Sequence, residues 1–344
     1  MAIDKVVSAS ITDSAVTSTK VAAGVLHPNF KNLFINGDMS IAQRGTTSSS
    51  TGYHTIDRWR LNTGTQQEQK TDTPDARFSN SFEITGTTGG SSGYGICLQR
   101  IESVNVLPAL GQTCTLSAYV KNTGTSTVNV SVEIYRANSA DDFSGLTLLP
   151  SLTGQAITTS WNRITFPSFT VTDACVTRLQ VRIIRYDASN DQEWLLTGVQ
   201  LEVGSSASDF EFLPFDVNLQ RCQRYYEKNF DIGVAPAQGV SYTSTNSTYG
   251  GVAYGTTAMR TNVKFLVRKR TTPTTTFYYV TGLHSSGTTS GRWSYWDSGW
   301  SQMDGTTGAG ETSDLGMDIN SSQGSITARD TYLIGGGWSA DAEL

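Results

Sequence analysis

The residues best suited to ligand chemistry form an aromatic cluster near the end of the chain. Residues 291–300 read GRWSYWDSGW, so three tryptophans, a tyrosine and an aspartate fall within ten positions. Flat rings can stack on the apolar faces of sugars, while nearby polar groups hydrogen-bond the hydroxyls. The candidate ligand platform consists of Trp293, Tyr295, Trp296, Asp297 and Trp300. The alternative interpretation is a protein core that continues into a subunit interface, where Trp and Tyr are also enriched.

A strand would divide this cluster between two faces. Alternate side chains of a strand point to opposite sides, so Trp293 and Tyr295 would share one face and Trp296 would lie on the other. One aromatic face can fill a core. The other must then meet a subunit, a sugar or water.

Patterns that would indicate catalysis are missing from the sequence. The chain has no GxSxG elbow, HExxH helix or phosphate-cradling glycine motif. Glycan-cleaving enzymes use two carboxylates, and no pair stands out among the 30 acidic residues. The repeats of a β-helix are also missing. We therefore expect a protein that is not an enzyme.

Composition favours a β-rich protein and argues against a nucleic-acid partner. Charged residues make up 16% of the chain and glycines number 33, which suits short strands joined by tight turns. The net charge of −5 argues against nucleic-acid binding. The short basic run Arg268–Arg270 is predicted to be a solvated strand end. No apolar segment approaches the roughly 18 residues that a membrane span needs, and the N-terminus lacks the apolar core of a signal peptide.

The four cysteines are predicted to be buried free thiols. Cys97, Cys114, Cys175 and Cys222 form no CxxC pair, and a zinc site would need close ligand pairs. Cys114 also falls in phase with the apolar residues of its segment, which begins TCTLSAYVK.

The elements that position these residues follow from hydrophobic periodicity. Residues 29–215 contain eight or nine alternating segments, such as TCTLSAYVK and TVNVSVEIYR. One apolar face per strand predicts two sheets packed over a common core. Three tryptophans within this region are predicted to lie in that core, and they are Trp59, Trp161 and Trp194.

The remaining segments differ in the spacing of their apolar residues. Residues 1–28 space Ile11, Val16 and Val21 five apart, which fits neither a helix nor a strand, so this arm should order only against a partner. Residues 216–228 switch to a helical period, with Asp216 as the expected N-cap. Residues 229–344 return to a β pattern, and 301–324 are predicted to be a mobile loop.

Four sequence words occur in a fixed order along the chain. They are NLFINGDMSIAQRG (residues 32–45), IDRW (56–59), VQLEVGSSASDFE (199–211) and CQRYYEK (222–228). Together they resemble tail-fibre and related receptor-binding proteins of tailed bacteriophages. The resemblance implies a homotrimer that attaches to other phage tail proteins through residues 1–28, with Ile11, Val16 and Val21 as candidate contacts. It also implies a distal end that touches a host cell-surface polysaccharide, and a place in the virion after assembly in the host cytoplasm.

The central region also resembles the jelly roll of carbohydrate-binding modules. In such modules an Asn-Gly-Asp word begins the fold and an acidic residue ends it, here Asn36-Gly37-Asp38 and Glu202. The resemblance makes Asp38 and Glu202 weak candidates for a structural calcium site. A turn and a solvated carboxylate are the favoured alternative, and no other cofactor is expected.

The sequence therefore predicts an all-β protein made of an extended arm (1–28), a jelly-roll sandwich (29–215), a connecting helix (216–228) and a distal sandwich (229–344). The expected function is non-enzymatic adsorption to a glycan. A structural adaptor that binds only other virion proteins is the main alternative, and a glycan depolymerase is a less favoured one.

Overall fold

The computed structural model describes residues 30–87, 93–124, 127–140, 142–187, 193–283, 289–324 and 326–344. The predicted arm, with Ile11, Val16 and Val21, lies outside these residues. Nearly all regular secondary structure of the described residues is β-strand, so the all-β prediction is confirmed.

The central part of the chain forms two antiparallel sheets. Its strands are β1 (Thr47–Ser48), β2 (Arg60–Thr63), β3 (Gln66–Lys70), β4 (Ser81–Thr85), β5 (Gly93–Ile101), β6 (Thr113–Asn122), β7 (Val128–Ser139), β8 (Asp142–Ile157), β9 (Asn162–Thr165), β10 (Phe169–Thr170), β11 (Leu179–Asp187) and β12 (Glu193–Val203). One sheet has the order β1-β3-β4-β12-β6-β10, with β9 also pairing with β6. The other has the order β2-β5-β11-β7-β8. A short helix, α1 (Ser103–Val106), connects β5 to β6.

The two sheets share one core, as the alternation predicts. Cys114, Leu116, Ala118 and Val120 of β6 are buried in the same cluster as Val181 of β11. Each large apolar side chain removed from water contributes about 1.5–3 kcal/mol. A jelly-roll-like β-sandwich results.

Two of the three central tryptophans are core residues, but the third is not. Trp59 and Trp194 are fully buried. Trp161, which was predicted to join them, is only half-buried just before β9, and its Nε1 donates to Asp72 Oδ1 at 2.8 Å. An indole N–H needs a hydrogen-bond partner, and Trp161 finds one at the surface.

The C-terminal part builds a second layered β-structure. Its strands are β13 (Tyr226–Lys228), β14 (Val240–Ser241), β15 (Thr248–Ala253), β16 (Ala258–Lys264), β17 (Thr274–Tyr278), β18 (Val280–Thr281), β19 (Ser294–Trp296), β20 (Trp300–Gln302), β21 (Gly308–Thr312), β22 (Gly316–Ser322), β23 (Thr331–Gly335) and β24 (Gly337–Asp341). A seven-stranded sheet has the order β20-β19-β23-β15-β16-β22-β21. A three-stranded sheet has the order β13-β24-β17, and β14 pairs in parallel with β18. Side chains of both larger sheets, including Phe277, Met317 and Trp338, form one core.

The connecting helix is shorter than predicted. Helix α2 spans Phe215–Gln223 with Pro214 at its N-cap, so Asp216 lies in the first turn instead of capping it. Residues Tyr226–Lys228 form β13 and pair with β24. Aromatic residues fit a strand well, and the available edge of β24 overrides the helical spacing. No helix of the described residues is long and apolar enough to cross a lipid bilayer.

The predicted mobile loop at 301–324 is instead largely strand. β21 and β22 occupy half of it, and Met317 and Ile319 of β22 are buried. β22 pairs with β16, more than fifty residues earlier in the chain. The polar composition of the segment concealed this long-range pairing.

The basic run at 268–270 was predicted to be a solvated strand end, but it lies outside the strands and only Arg268 is exposed to solvent. Lys269 is buried, and its Nζ donates to Glu227 Oε2 at 2.5 Å and to the carbonyl of Gln223 at 2.6 Å. Arg268 pairs with Asp314 at 2.7 Å. These residues hold segments of the fold together.

Candidate functional site

Trp293 belongs to the core and not to a ligand platform. Its side chain is fully buried, and its Nε1 donates to the carbonyl of Gly337 at 3.1 Å. The ring stacks on Tyr249 at 5.5 Å between centroids and meets the edge of Phe277 at 6.0 Å. The prediction that Trp293 could contact a ligand is therefore wrong, because no part of the ring reaches solvent.

Tyr295 lies on the same side as Trp293, as the strand alternation predicts. It packs against the core and meets Tyr332 edge-on, with 6.2 Å between ring centroids. Burial raises the pKa of its phenol. Tyr295 is half-buried on the inner face of the sheet, so it packs the β19–β20 hairpin against the core.

Trp296 and Trp300 form an aromatic pair on the outer face. They lie directly opposite each other on β19 and β20, with ring centroids 5.7 Å apart and planes at 74°. Trp296 is 44% exposed although it is one of the largest apolar side chains. Asp297 is exposed in the turn that joins the two strands. Trp300 is half-buried. An aromatic pair with one exposed indole is typical of a contact site.

The apolar surface continues onto the next strands of the sheet. Leu333 of β23 lies opposite Trp296 and is 48% exposed. Gly250 of β15 lies opposite Leu333, and a side chain at this position would meet no atom within 4 Å. The surface is therefore raised at the indoles and low at Gly250.

Polar side chains lie beside this apolar surface on β16 and β22. Asn262 Nδ2 donates to Asp318 Oδ1 at 2.8 Å, and Arg260 Nε donates to Asn320 Oδ1 at the same distance. The Arg260 guanidinium also lies 5.0 Å from the centre of the exposed Tyr254 ring. These contacts fix the orientation of the polar groups before any ligand arrives.

A surface cavity of about 320 Å³ adjoins this polar group. Asn262 and Asp318 line it together with Lys264, Glu311 and the β21–β22 turn. Such a cavity offers hydrogen-bond donors and acceptors at short range. The outer face of the seven-stranded sheet thus carries aromatic rings at one end and ordered polar groups further across, a combination found in sugar-binding sites.

The sequence indicated only part of this face. Trp296, Asp297 and Trp300 were predicted as ligand residues, whereas Leu333, Gly250 and the polar group on β16 and β22 were not. The alternation in AMRTNVK (258–264) puts Arg260, Asn262 and Lys264 on one exposed side, and this was the available signal. Their position beside the indoles depends on sheet order, which alternation does not encode.

Asp38 and Glu202 already have protein partners. Asp38 Oδ1 accepts a hydrogen bond from Asn218 Nδ2 at 3.0 Å, and burial raises the pKa of this carboxyl. Glu202 accepts hydrogen bonds from the backbone N–H and the hydroxyl of Ser208 and from Gln200. In the described part of the chain, no group of three or more His, Cys, Asp or Glu residues could hold a metal ion.

All four cysteines are free and buried, as predicted. Burial raises the pKa of each thiol. These groups are therefore core residues and poor nucleophiles.

Comparison with known proteins gives similarity only at the level of structures. No protein-family profile and no curated protein matches the chain. A CBM22-1 xylan-binding domain from Paenibacillus barcinonensis is 13% identical over 47% of this chain and 94% of its own length, with a TM-score of 0.32. A family 11 carbohydrate-binding module from Clostridium thermocellum is 11% identical over 48% of this chain and 99% of that module (TM-score 0.31). The enzymatically active domain of tailspike protein 4 from bacteriophage CBA120 is 16% identical over 51% of this chain but only 22% of that protein (TM-score 0.33).

Proposed function

We propose that this protein binds a cell-surface glycan, without cleaving it, through the outer face of its C-terminal seven-stranded sheet. The observation that carries the proposal is the Trp296–Trp300 pair, with Trp296 exposed, on the same sheet face as the ordered polar group of Arg260, Asn262 and Asp318. Indoles stack on the apolar faces of sugars, and polar side chains of the same sheet face can bind hydroxyls.

The sequence resemblance supports a setting for this binding. As in bacteriophage tail fibres, the chain would attach to the virion through residues 1–28 and present its C-terminal part to the host. Three copies in a homotrimer, and several fibres on one particle, would raise the avidity about 10²–10⁴-fold over that of one weak site. Adsorption then needs no chemical step.

Competition for host cells tests the proposal. The purified full chain should reduce adsorption of the phage to its host, and Trp296→Ala should reduce this competition at least about tenfold, as expected for a central aromatic contact. Tyr242→Ala is the matched control, because Tyr242 is also 44% exposed but is not part of the proposed face. This control should compete as well as the unaltered chain.

Two other results would contradict the proposal. If the full chain binds virions but never host cells, the protein is a structural adaptor. The unaltered chain and a heat-denatured sample are each incubated with host polysaccharide. If only the unaltered chain releases new reducing ends, the protein is a depolymerase.

A further inference from the structure

We infer that the ligand is an extended polysaccharide segment that crosses the strands of the seven-stranded sheet, and not a single terminal sugar. This inference rests on the proposed function and names the class of ligand for the same face. It is carried by the register of the sheet, by one glycine and by the cavity at the polar end.

One residue from each of six adjacent strands lies on a common line across the outer face. Cross-strand pairing joins Trp300 to Trp296, Trp296 to Leu333 and Leu333 to Gly250. On the next strand, Arg260 pairs with Val252, and Asn262, two residues from Arg260, is exposed on the same face as Gly250, two residues from Val252. Asn262 in turn lies opposite Asp318.

The line is longer than one sugar and perpendicular to the strands. It runs from β20 to β22, which are separated by five interstrand steps in the sheet order. At about 4.8 Å a step, this corresponds to roughly 24 Å. The two indoles are neighbours across strands, so a chain that contacts both must run across the strands.

Gly250 keeps the middle of the line open. It lies between the exposed Leu333 and Asn262, and a side chain built at this position would meet nothing within 4 Å. A ligand chain that contacts Trp296 can therefore continue over the Gly250 backbone toward Asn262. A side chain at position 250 would stand in its path.

The polar end of the line opens into the cavity of about 320 Å³. Asn262, Asp318, Lys264 and Glu311 supply amide, carboxylate and ammonium groups to this cavity. Such groups bind hydroxyl and other polar substituents of sugars. The aromatic end therefore supplies stacking, and the cavity end supplies recognition of substituents.

The experiment compares fragments of increasing length on matched glycine variants. An array of bacterial surface polysaccharides identifies a bound polysaccharide, and size-fractionated oligosaccharides of it are then titrated, from the disaccharide upward. Gly250→Val places a branched side chain on the line. Gly308→Val is the control, because Gly308 lies on the same face opposite Asn320, away from the line, and also has open space around it.

We expect affinity to rise with fragment length, and Gly250→Val to weaken binding of the long fragments at least about tenfold. Gly308→Val should bind all fragments like the unaltered chain, and the disaccharide should bind both variants equally. If Trp296→Ala weakens binding but Gly250→Val does not and length has no effect, the ligand is a terminal sugar and this inference is wrong while the proposed function stands. If nothing on the array binds, or Trp296→Ala changes nothing, the proposed function fails as well.

Discussion

The guanidinium carbon of Arg58 lies 3.5 Å from the centre of the Tyr225 ring, and the same guanidinium pairs with the carboxylate of Glu343. Arg58 belongs to the central sandwich, Tyr225 follows helix α2, and Glu343 lies just after the last strand. Arg58 is fully buried, and its Nη2 also donates to the carbonyl of Arg100 at 2.6 Å. One side chain therefore connects the two β-structures and the helix between them.

Arg58→Met should destabilise the protein by about 1.5–3 kcal/mol, because the buried Glu343 carboxylate loses one of its two arginine partners and keeps only Arg44 at 3.5 Å. Arg58→Lys should recover little, since an ammonium cannot both stack and form a planar fork of hydrogen bonds. Urea unfolding followed by tryptophan fluorescence measures the change. Adding Glu343→Gln to Arg58→Met should restore part of the loss. Equal stability of Arg58→Met and the unaltered chain would contradict this role.

The sequence was informative where a strand buries one face. Alternation correctly placed Cys114 and Leu116 in the core, because the two-residue period is a local property. Alternation also separated the buried Trp293 from the exposed Trp296. The two-residue spacing of apolar residues shows which side chains share one face of a strand. It does not show what packs against that face.

The features that the sequence did not indicate depend on distant partners. Lys269 is buried because Glu227, more than forty residues earlier, accepts its hydrogen bond. β22 is a strand because β16 offers it a free edge. The polar group beside the indoles likewise depends on the order of six strands, which only the folded sheet determines.

Trp293→Ala and Trp296→Ala should differ strongly in their effect on the free energy of unfolding, although the two residues are only three positions apart. Trp293 is fully buried, so its loss should cost about 3–5 kcal/mol of unfolding free energy. Trp296 is 44% exposed, so its loss should change stability by no more than about 1 kcal/mol. Denaturant unfolding of both variants measures these values. A large loss of stability in Trp296→Ala would mean that its contribution is structural, and would remove the basis for the glycan platform.

Gly336→Ala should destabilise the C-terminal structure by about 1–3 kcal/mol, the range expected for overpacking. A Cβ at this position would lie 2.1 Å from Cδ1 of Trp293, whose ring is enclosed and cannot move aside. Gly255→Ala is the control, because a Cβ there meets no atom within 4 Å. Thermal unfolding should show a lower Tm for Gly336→Ala alone. Similar Tm values for the two variants would mean that the Trp293 ring has room to move away from the added Cβ, which would contradict this prediction.

The buried thiols should make stability fall with pH in alkaline solution. Burial raises the pKa of Cys114 from its ordinary value near 9 to about 12. Between these two pH values the unfolded chain releases the thiol proton while the folded chain keeps it. The folded state thus binds more protons, and its stability must decrease as pH rises.

Cys114→Val should make this alkaline decrease less steep. Removing one such thiol takes away a slope that approaches about 1.4 kcal/mol per pH unit above pH 9 or so. Urea unfolding at several pH values between neutrality and pH 10 or so gives the slope. Leu116→Val, two residues along β6 and equally buried, should lower stability at every pH and leave the slope unchanged. If Cys114→Val kept the full slope, the Cys114 thiol would have to ionise as readily in the folded chain as in water, which its burial opposes.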